Sequence, residues 1–301
     1  MVDTNSLQFV LYLVSIPFFI TGLIGNALVI RIVHKTREMH TTTNFLLANL
    51  AVSDVISILQ LPLFVSAVYQ AEDLNDGLDK FACKFSALTI IPILASSLTL
   101  TVLSVERYHA LLKPFRTGLR LNKNNVTKAI ALIWISSLLF SLPFFFLYEW
   151  NETHSECTFV PTQARKVLWI LGSVFSTYFT MAVFLYCYGS LINGLYFTNT
   201  ICATDTEEDR RSEKKKLVVT FILVTTGFII GYGPTVVFHT VIFLRGEEPI
   251  TLKDLKDSEL SIAFYFLFYC SLCLNPILYA FRSTNFQKGF KRIIFCRKPA
   301  T

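Results

Sequence analysis

Seven stretches of about 20–28 residues, almost free of charge, recur along this chain at 9–33, 45–69, 85–112, 129–148, 167–191, 217–244 and 260–281. A helix rises about 1.5 Å per residue, so each can cross a hydrocarbon core ~30 Å thick. Val, Phe and Ile within them would suit buried strands, but the runs are several times too long for strands. The reading is an all-α membrane protein, a seven-transmembrane helix bundle forming one domain over 1–301. Composition agrees: 53% of the side chains are hydrophobic and 16% charged, against about 25% charged in a soluble domain.

The loops set the orientation. About 20 of the Lys and Arg fall on the side that holds the first, third and fifth loops and the C-terminus, and about 7 on the other. The basic side is therefore expected in the cytoplasm, with the N-terminus extracellular and the protein multi-pass in the plasma membrane. "MVDTNSLQ" has no basic stretch, so the first run reads as a retained helix. After the seventh run, "NFQKGFKRIIF" places Phe286, Phe290 and Ile293 or Ile294 on one helical face and Lys288, Lys291 and Arg292 on the other. This is a short amphipathic eighth helix over 285–295, lying on membrane lipid with its basic face toward anionic headgroups. Cys296 at its end is either a palmitoylation site or an unmodified thiol.

Of seven cysteines only Cys83 and Cys157 lie on the outer side. That compartment is oxidising, which favours a disulfide between them over two free thiols. Asn151 opens the triplet Asn151-Glu152-Thr153, a glycosylation acceptor on the same side. Asn125-Val126-Thr127 has the same pattern but faces inward and reads as coincidence. The charge run "TDTEEDRRSEKKK" reads as a solvated extension of spans five and six.

Within "NFLLANLAVSDVISILQLPLF", Asp54 lies about 13 Å from the inner end of its span. A carboxylate near the bilayer centre costs roughly 2.5–3.5 kcal/mol on insertion scales. Other polar groups reach similar depth: Asn26 about 12 Å above His34, Ser96 about 16 Å above Arg107, and Asn275 roughly 10 Å above Arg282, with Ser271 one turn higher. Two readings follow. Either these groups are a polar plug that orders the bundle, or they enclose a hydrated pocket in which Asp54, Ser96 and Asn275 hold a sodium ion and which collapses as the protein changes state.

Asn26 in "GN", "LANLAVSD" ending at Asp54, Glu106-Arg107-Tyr108 in "SVERYHALLKP", Trp134, Pro234, "NPILY" from Asn275 to Tyr279 and the basic tail helix occur in that order. The chain thereby resembles the rhodopsin-like (class A) G-protein-coupled receptors, their peptide-binding branches in particular. The resemblance implies a receptor, not an enzyme, with heterotrimeric G protein as its inner partner. It implies that Glu106 restrains Arg107 at rest, that Arg107 meets the G protein on activation, and that Tyr108 belongs to the same motif. Asn275 and Pro276 would form a hinge, Tyr279 an inward-swinging switch, and Tyr188 its counterpart in span five. Tyr232 stands where the family usually has tryptophan before Pro234, with Phe228 one turn below, and is expected to act as the rotamer switch. Phe179-Thr180 stands where span five usually carries proline, and Lys214, beside Glu213, where some members place an acid facing the arginine.

Span three has no acid between Phe85 and Val105, and span seven has no lysine, which excludes the amine counter-ion and the retinal Schiff base. The outer loops are acidic, with about 13 Asp and Glu, a surface that attracts basic ligands or simply keeps loops soluble. The expected ligand is a short neuropeptide, lined by Gln60, Tyr69, Thr89, Tyr265 and Tyr269; a small molecule or lipid is the alternative. No nucleic-acid partner and no cofactor are expected beyond the sodium ion, and arrestin recruitment stays open. A transporter would need a chain of intramembrane acids, whereas Asp54 is alone until Glu106. Only His239 among five histidines lies well inside a span, so a metal-dependent hydrolase finds no ligand cluster.

Overall fold

The computed structural model describes residues 4–69, 81, 83, 86–113, 121–146, 148–151, 156–159, 162–197, 208–245, 250–251 and 259–294. Seven helices in it are long and apolar enough to cross a membrane. Helix α1 is Thr4–Lys35, α2 Thr42–Tyr69, α3 Ile90–Leu112 and α4 Lys123–Ser141. Helix α5 runs as Gln163–Ser173, a π-helical stretch Val174–Phe179, Thr180–Ile192 and a second π-helical stretch Asn193–Phe197. Helix α6 is Glu208–Arg245, α7 Glu259–Arg282, and the eighth helix α8 Thr284–Ile294.

Local chemistry explains where several helices depart from the apolar runs. α4 begins six residues before its run, because the Asn122 side chain accepts from the Asn125 backbone N–H at 2.8 Å and caps the first turn. α3 begins at Ile90, after a 3₁₀ turn over Ser86–Thr89. α6 takes in the charged residues from Glu208 onward, as expected for a solvated helical extension. The first π-helical stretch of α5 ends at Phe179, where the family's usual proline is missing; a wider turn there loosens the ladder without removing a donor.

Besides the 3₁₀ and π-helical turns, a small antiparallel sheet is an element that the sequence reading did not contain. Its strands are β1 Tyr148–Asn151, β2 Glu156–Phe159 and β3 Ile250–Thr251, in the order β1-β2-β3. Trp150 pairs with Cys157 and Asn151 with Glu156, while Phe159 pairs with Ile250. The sheet thus ties the segment after α4 to the segment after α6 at the end of the bundle away from Arg107. Cys83, at that same end, is buried and disulfide-bonded. The free cysteines among the described residues are Cys187, Cys270 and Cys273.

The bundle is inverted relative to a soluble protein. Leu132, Ile135, Leu139, Leu185 and Phe281 point outward, whereas Asn26, Ser53, Asp54, Ser96 and Thr99 are at most 1% exposed. An outer apolar face with polar groups inside suits a hydrocarbon surround. α8 folds back against α1 at Gly289, where an added Cβ would lie 2.7 Å from Ile32 Cγ2. That close approach buries Phe286 and Phe290 and leaves Lys288 and Lys291 exposed.

Candidate functional site

At mid-depth, α2, α3 and α7 converge on Asp54. Asn275 Nδ2 donates to Asp54 Oδ2 at 2.7 Å and Ser96 Oγ donates to Oδ1 at 3.2 Å. These are the three residues that the sequence placed in the candidate ion site. Asn26 and Ser271 share the depth but act elsewhere: Asn26 Nδ2 donates to Gly22 O and Leu272 O at 3.0 and 3.1 Å, and Ser271 Oγ to Phe268 O at 2.6 Å. Asn26 therefore stitches α1 to α7. Two further buried oxygens, Asn26 Oδ1 at the same depth and Ser57 Oγ one turn on from Asp54 in α2, have no hydrogen-bond partner among the described residues. Buried polar atoms are ordinarily satisfied, so a carboxylate with spare oxygen donors fits a hydrated hard cation.

One turn nearer the Arg107 end, a second polar link joins three helices. Trp134 Nε1 donates to Asn49 Oδ1 at 2.9 Å, and Asn49 Nδ2 donates to Thr99 Oγ1 at 2.8 Å. Asn49 and Thr99 escaped the sequence reading, although Trp134 was one of its motif residues.

The inner cluster is built around Arg107. Its guanidinium pairs with Glu106 and donates to Thr43, and it lies 5.7 Å from the ring centre of Phe221 on α6. Glu106 is only 4% exposed, so the pair is largely removed from solvent. Tyr108 turns sideways, its hydroxyl 3.2 Å from that of Tyr186 and its ring beneath Lys113 Nζ at 4.9 Å. Tyr188 shares no hydrogen bond with Arg107 among the described residues; its oxygen accepts from Thr225 Oγ1 at 3.0 Å. Tyr279 stacks on Phe286 at 5.3 Å between ring centres, and its buried hydroxyl has no partner among the described residues. Leaving such a group unsatisfied costs about 1–3 kcal/mol. Cys296 lies outside the described residues.

Between these levels, Tyr232 packs on Phe228 and Phe268, with ring centres 5.5 and 5.9 Å apart. A gap with room for about one water separates this pair from Thr177, Thr180, Met181 and Phe184 of α5. Pro234 lies two residues beyond Tyr232, and Pro276 one beyond Asn275, inside their helices.

Toward the opposite end the predicted pocket residues divide. Gln60 Nε2 donates to Leu88 O at 3.5 Å, on the α2–α3 side next to Thr89. Tyr265 bonds His239 Nε2 at 3.2 Å on the α6–α7 side, and Tyr269 packs on Phe268. The side chain of Tyr69 lies outside the described residues, as do those of Cys157 and Asn151. The sequence reading missed His239 as part of this wall. It is buried, its Nδ1 sits 2.7 Å from Thr235 O, and its ring faces Trp169 of α5 at 6.3 Å. The carbonyl requires a proton on Nδ1, which leaves Nε2 to accept from Tyr265. Its depth, five residues past Pro234, was the available signal.

Seven spans, a carboxylate held between three of them and an arginine restrained at one end define a seven-helix receptor. Residues 25–279 match the family model of the 7 transmembrane receptor (rhodopsin family), and the chain belongs to that family of multi-pass plasma-membrane signalling proteins. It is 31% identical to galanin receptor 2b of Danio rerio, over 94% of this chain and 75% of the relative. It is 30% identical to growth hormone secretagogue receptor type 1 of Mus musculus, over 93% and 79% of the two chains. It is 28% identical to the allatostatin-A receptor of Bombyx mori, over 93% and 80%.

Proposed function

We propose that this receptor binds a short neuropeptide at its extracellular mouth and activates heterotrimeric G proteins by opening its cytoplasmic end. The observation that carries the reading is the inner cluster: Arg107 is restrained by Glu106 and Thr43 while the buried Tyr279 hydroxyl has no partner among the described residues. A state in which α6 swings away would release Arg107 and bring Tyr188 and Tyr279 to it, satisfying that phenol. A ligand drives this only to the extent that it binds the open state better than the closed one. The names of the galanin and allatostatin-A relatives, together with the acidic outer loops, support a peptide, and its recognition surface includes Gln60, Tyr69, Thr89, His239, Tyr265 and Tyr269.

In this reading the N-terminus is extracellular. Cys83 pairs with Cys157 and holds the strand β2 over the mouth, with Asn151 glycosylated beside it. Asp54, Ser96 and Asn275, with the spare oxygens of Asn26 and Ser57, hold sodium in the resting state; the ion supplies positive charge to the carboxylate. The eighth helix lies on the inner leaflet and is anchored there by palmitoylation of Cys296.

The test is a screen of pooled synthetic peptides against cells that express the receptor and a G-protein activation reporter. A saturable response, lost on Arg107→Ala at equal surface expression, is expected. A response confined to lipids or small metabolites would overturn the peptide assignment.

Tyr232 provides a second check. An aromatic pair is worth about 0.5–1.5 kcal/mol, so truncation moves the equilibrium between states about 2–13-fold. Tyr232→Ala is expected to lower the maximal response to agonist, while Tyr232→Phe preserves it. Equal maximal responses at equal expression would remove Tyr232 from the switch.

A further inference from the structure

We infer that Thr225 is a positioning residue: its hydroxyl holds Tyr188 on α6 and so keeps the phenol away from Arg107 in the resting receptor. The inference rests on the switch role proposed above for Tyr188 and adds the group that restrains it. Three side chains one turn apart form the inner stripe of α6. Phe221 lies against the Arg107 guanidinium, Thr225 against Tyr188, and Phe228 against Tyr232.

Thr225 uses its hydroxyl differently from Thr220 and Thr240 of the same helix; like Thr235, whose Oγ1 reaches Phe264 O of α7 at 3.4 Å, it bonds to a neighbouring helix, but its acceptor is a side chain. Thr220 Oγ1 donates to Lys216 O at 2.6 Å and Thr240 Oγ1 to Val236 O at 2.7 Å, the usual return to the carbonyl four residues back. Thr225, 2% exposed, donates across the helix interface to Tyr188 Oη at 3.0 Å. Its partner is well fixed. Tyr188 is 6% exposed with its ring 6.4 Å from Phe184. Two residues earlier, Tyr186 takes the other side of α5, about 200° around the helix, and meets Tyr108 of α3. The inner half of α5 is thus tied to α3 by one phenol and to α6 by the other.

The consequence is a neutral link between α5 and α6 that must break when α6 moves outward, because its two ends sit on different helices. Arg107 meanwhile donates to Glu106 and Thr43, so neither group of the eventual Tyr188–Arg107 pair is available until both restraints release. One net hydrogen bond corresponds to roughly a 2–13-fold change in the resting equilibrium, a bias large enough to set basal output and small enough for a ligand to override.

The experiment uses full-length receptor in lipid nanodiscs without ligand, carrying fluorophores on p-acetylphenylalanine at the exposed positions 128 of α4 and 215 of α6. Energy transfer between them reports the opening of the inner end, and nucleotide exchange on a panel of purified heterotrimeric G proteins is measured in parallel. Thr225→Val is expected to raise the open population about 2–13-fold. Thr225→Ser should match the parent, and Thr225→Val should add nothing in a Tyr188→Phe background. Thr225→Ala, which also lacks the hydroxyl, reports in place of the valine variant if that fails to fold. An unchanged open population, or an equal rise with and without the Tyr188 hydroxyl, overturns the inference. A larger open population with no exchange on any G protein upholds the restraint and overturns the coupling reading instead.

Discussion

Replacing Asp54 with asparagine is expected to abolish the sodium dependence of agonist binding and to cut signalling about tenfold, with the receptor still at the cell surface. The exchange preserves volume, so the packing of α2 against α3 and α7 survives. It changes what the site can accept. Ser96 still finds an acceptor oxygen, but Asn275 Nδ2, now 2.7 Å from Oδ2, would face an amide donor with another donor or have to turn its own amide over. One buried bond lost or strained costs about 1–3 kcal/mol, and about 1.4 kcal/mol is a factor of ten. The charge that would hold the cation disappears as well. Asp54→Leu should behave differently, because it strands both Ser96 and Asn275 and leaves little folded receptor at the surface. The measurement is agonist affinity in sodium against potassium buffer, alongside agonist-stimulated exchange. Sodium dependence that persists in Asp54→Asn would place the ion elsewhere.

Asp54, Ser96 and Asn275 could be read from sequence because depth along a helix follows from a fixed rise, and all three sit at one depth. Asn26 and Ser271 share that depth yet turn to backbone carbonyls. Rise does not settle which way a side chain points when each residue rotates the direction by about 100°, and a carbonyl of a neighbouring turn is the nearer acceptor. Asn49 and Thr99 were hidden for the same reason: each is an ordinary helix residue until Trp134 is placed opposite. The spans themselves were plain, because seven apolar runs of membrane length allow few other arrangements. The sheet was not, since β1 and β2 have four residues each and β3 two, too short for any alternation to register. The π-helical turn of α5 adds to a turn without altering its apolar character, so it too leaves no trace in composition. Thr225 belongs with these. Only its partner on another helix distinguishes it from Thr220 and Thr240.

Putting alanine at Gly231 is expected to lower the melting temperature of the detergent-solubilised receptor by about 3–10 °C and to weaken the response to agonist. α6 and α7 have the most extensive contacts of any helix pair in the bundle, and Gly231 lies at a close approach between them. A Cβ there would sit 2.4 Å from Ser271 Oγ, 2.5 Å from Ser271 Cβ and 3.2 Å from Leu267 O. None of these atoms can yield cheaply. The Ser271 hydroxyl is bonded to Phe268 O, its Cβ is fixed to the helix, and the carbonyl is backbone. The helices must therefore part, and overpacking of this kind costs about 1–3 kcal/mol. The separation acts one residue away from Tyr232, whose ring lies 5.9 Å from that of Phe268, so it pulls the switch off the helix it leans on. Removing the obstructing atoms from the other side makes the test specific. Ser271→Gly in the Gly231→Ala background should recover most of the melting temperature, whereas Ser271→Ala, which keeps the Cβ, should not. A melting temperature indifferent to Gly231→Ala would mean that α6 and α7 do not approach each other this closely in the membrane.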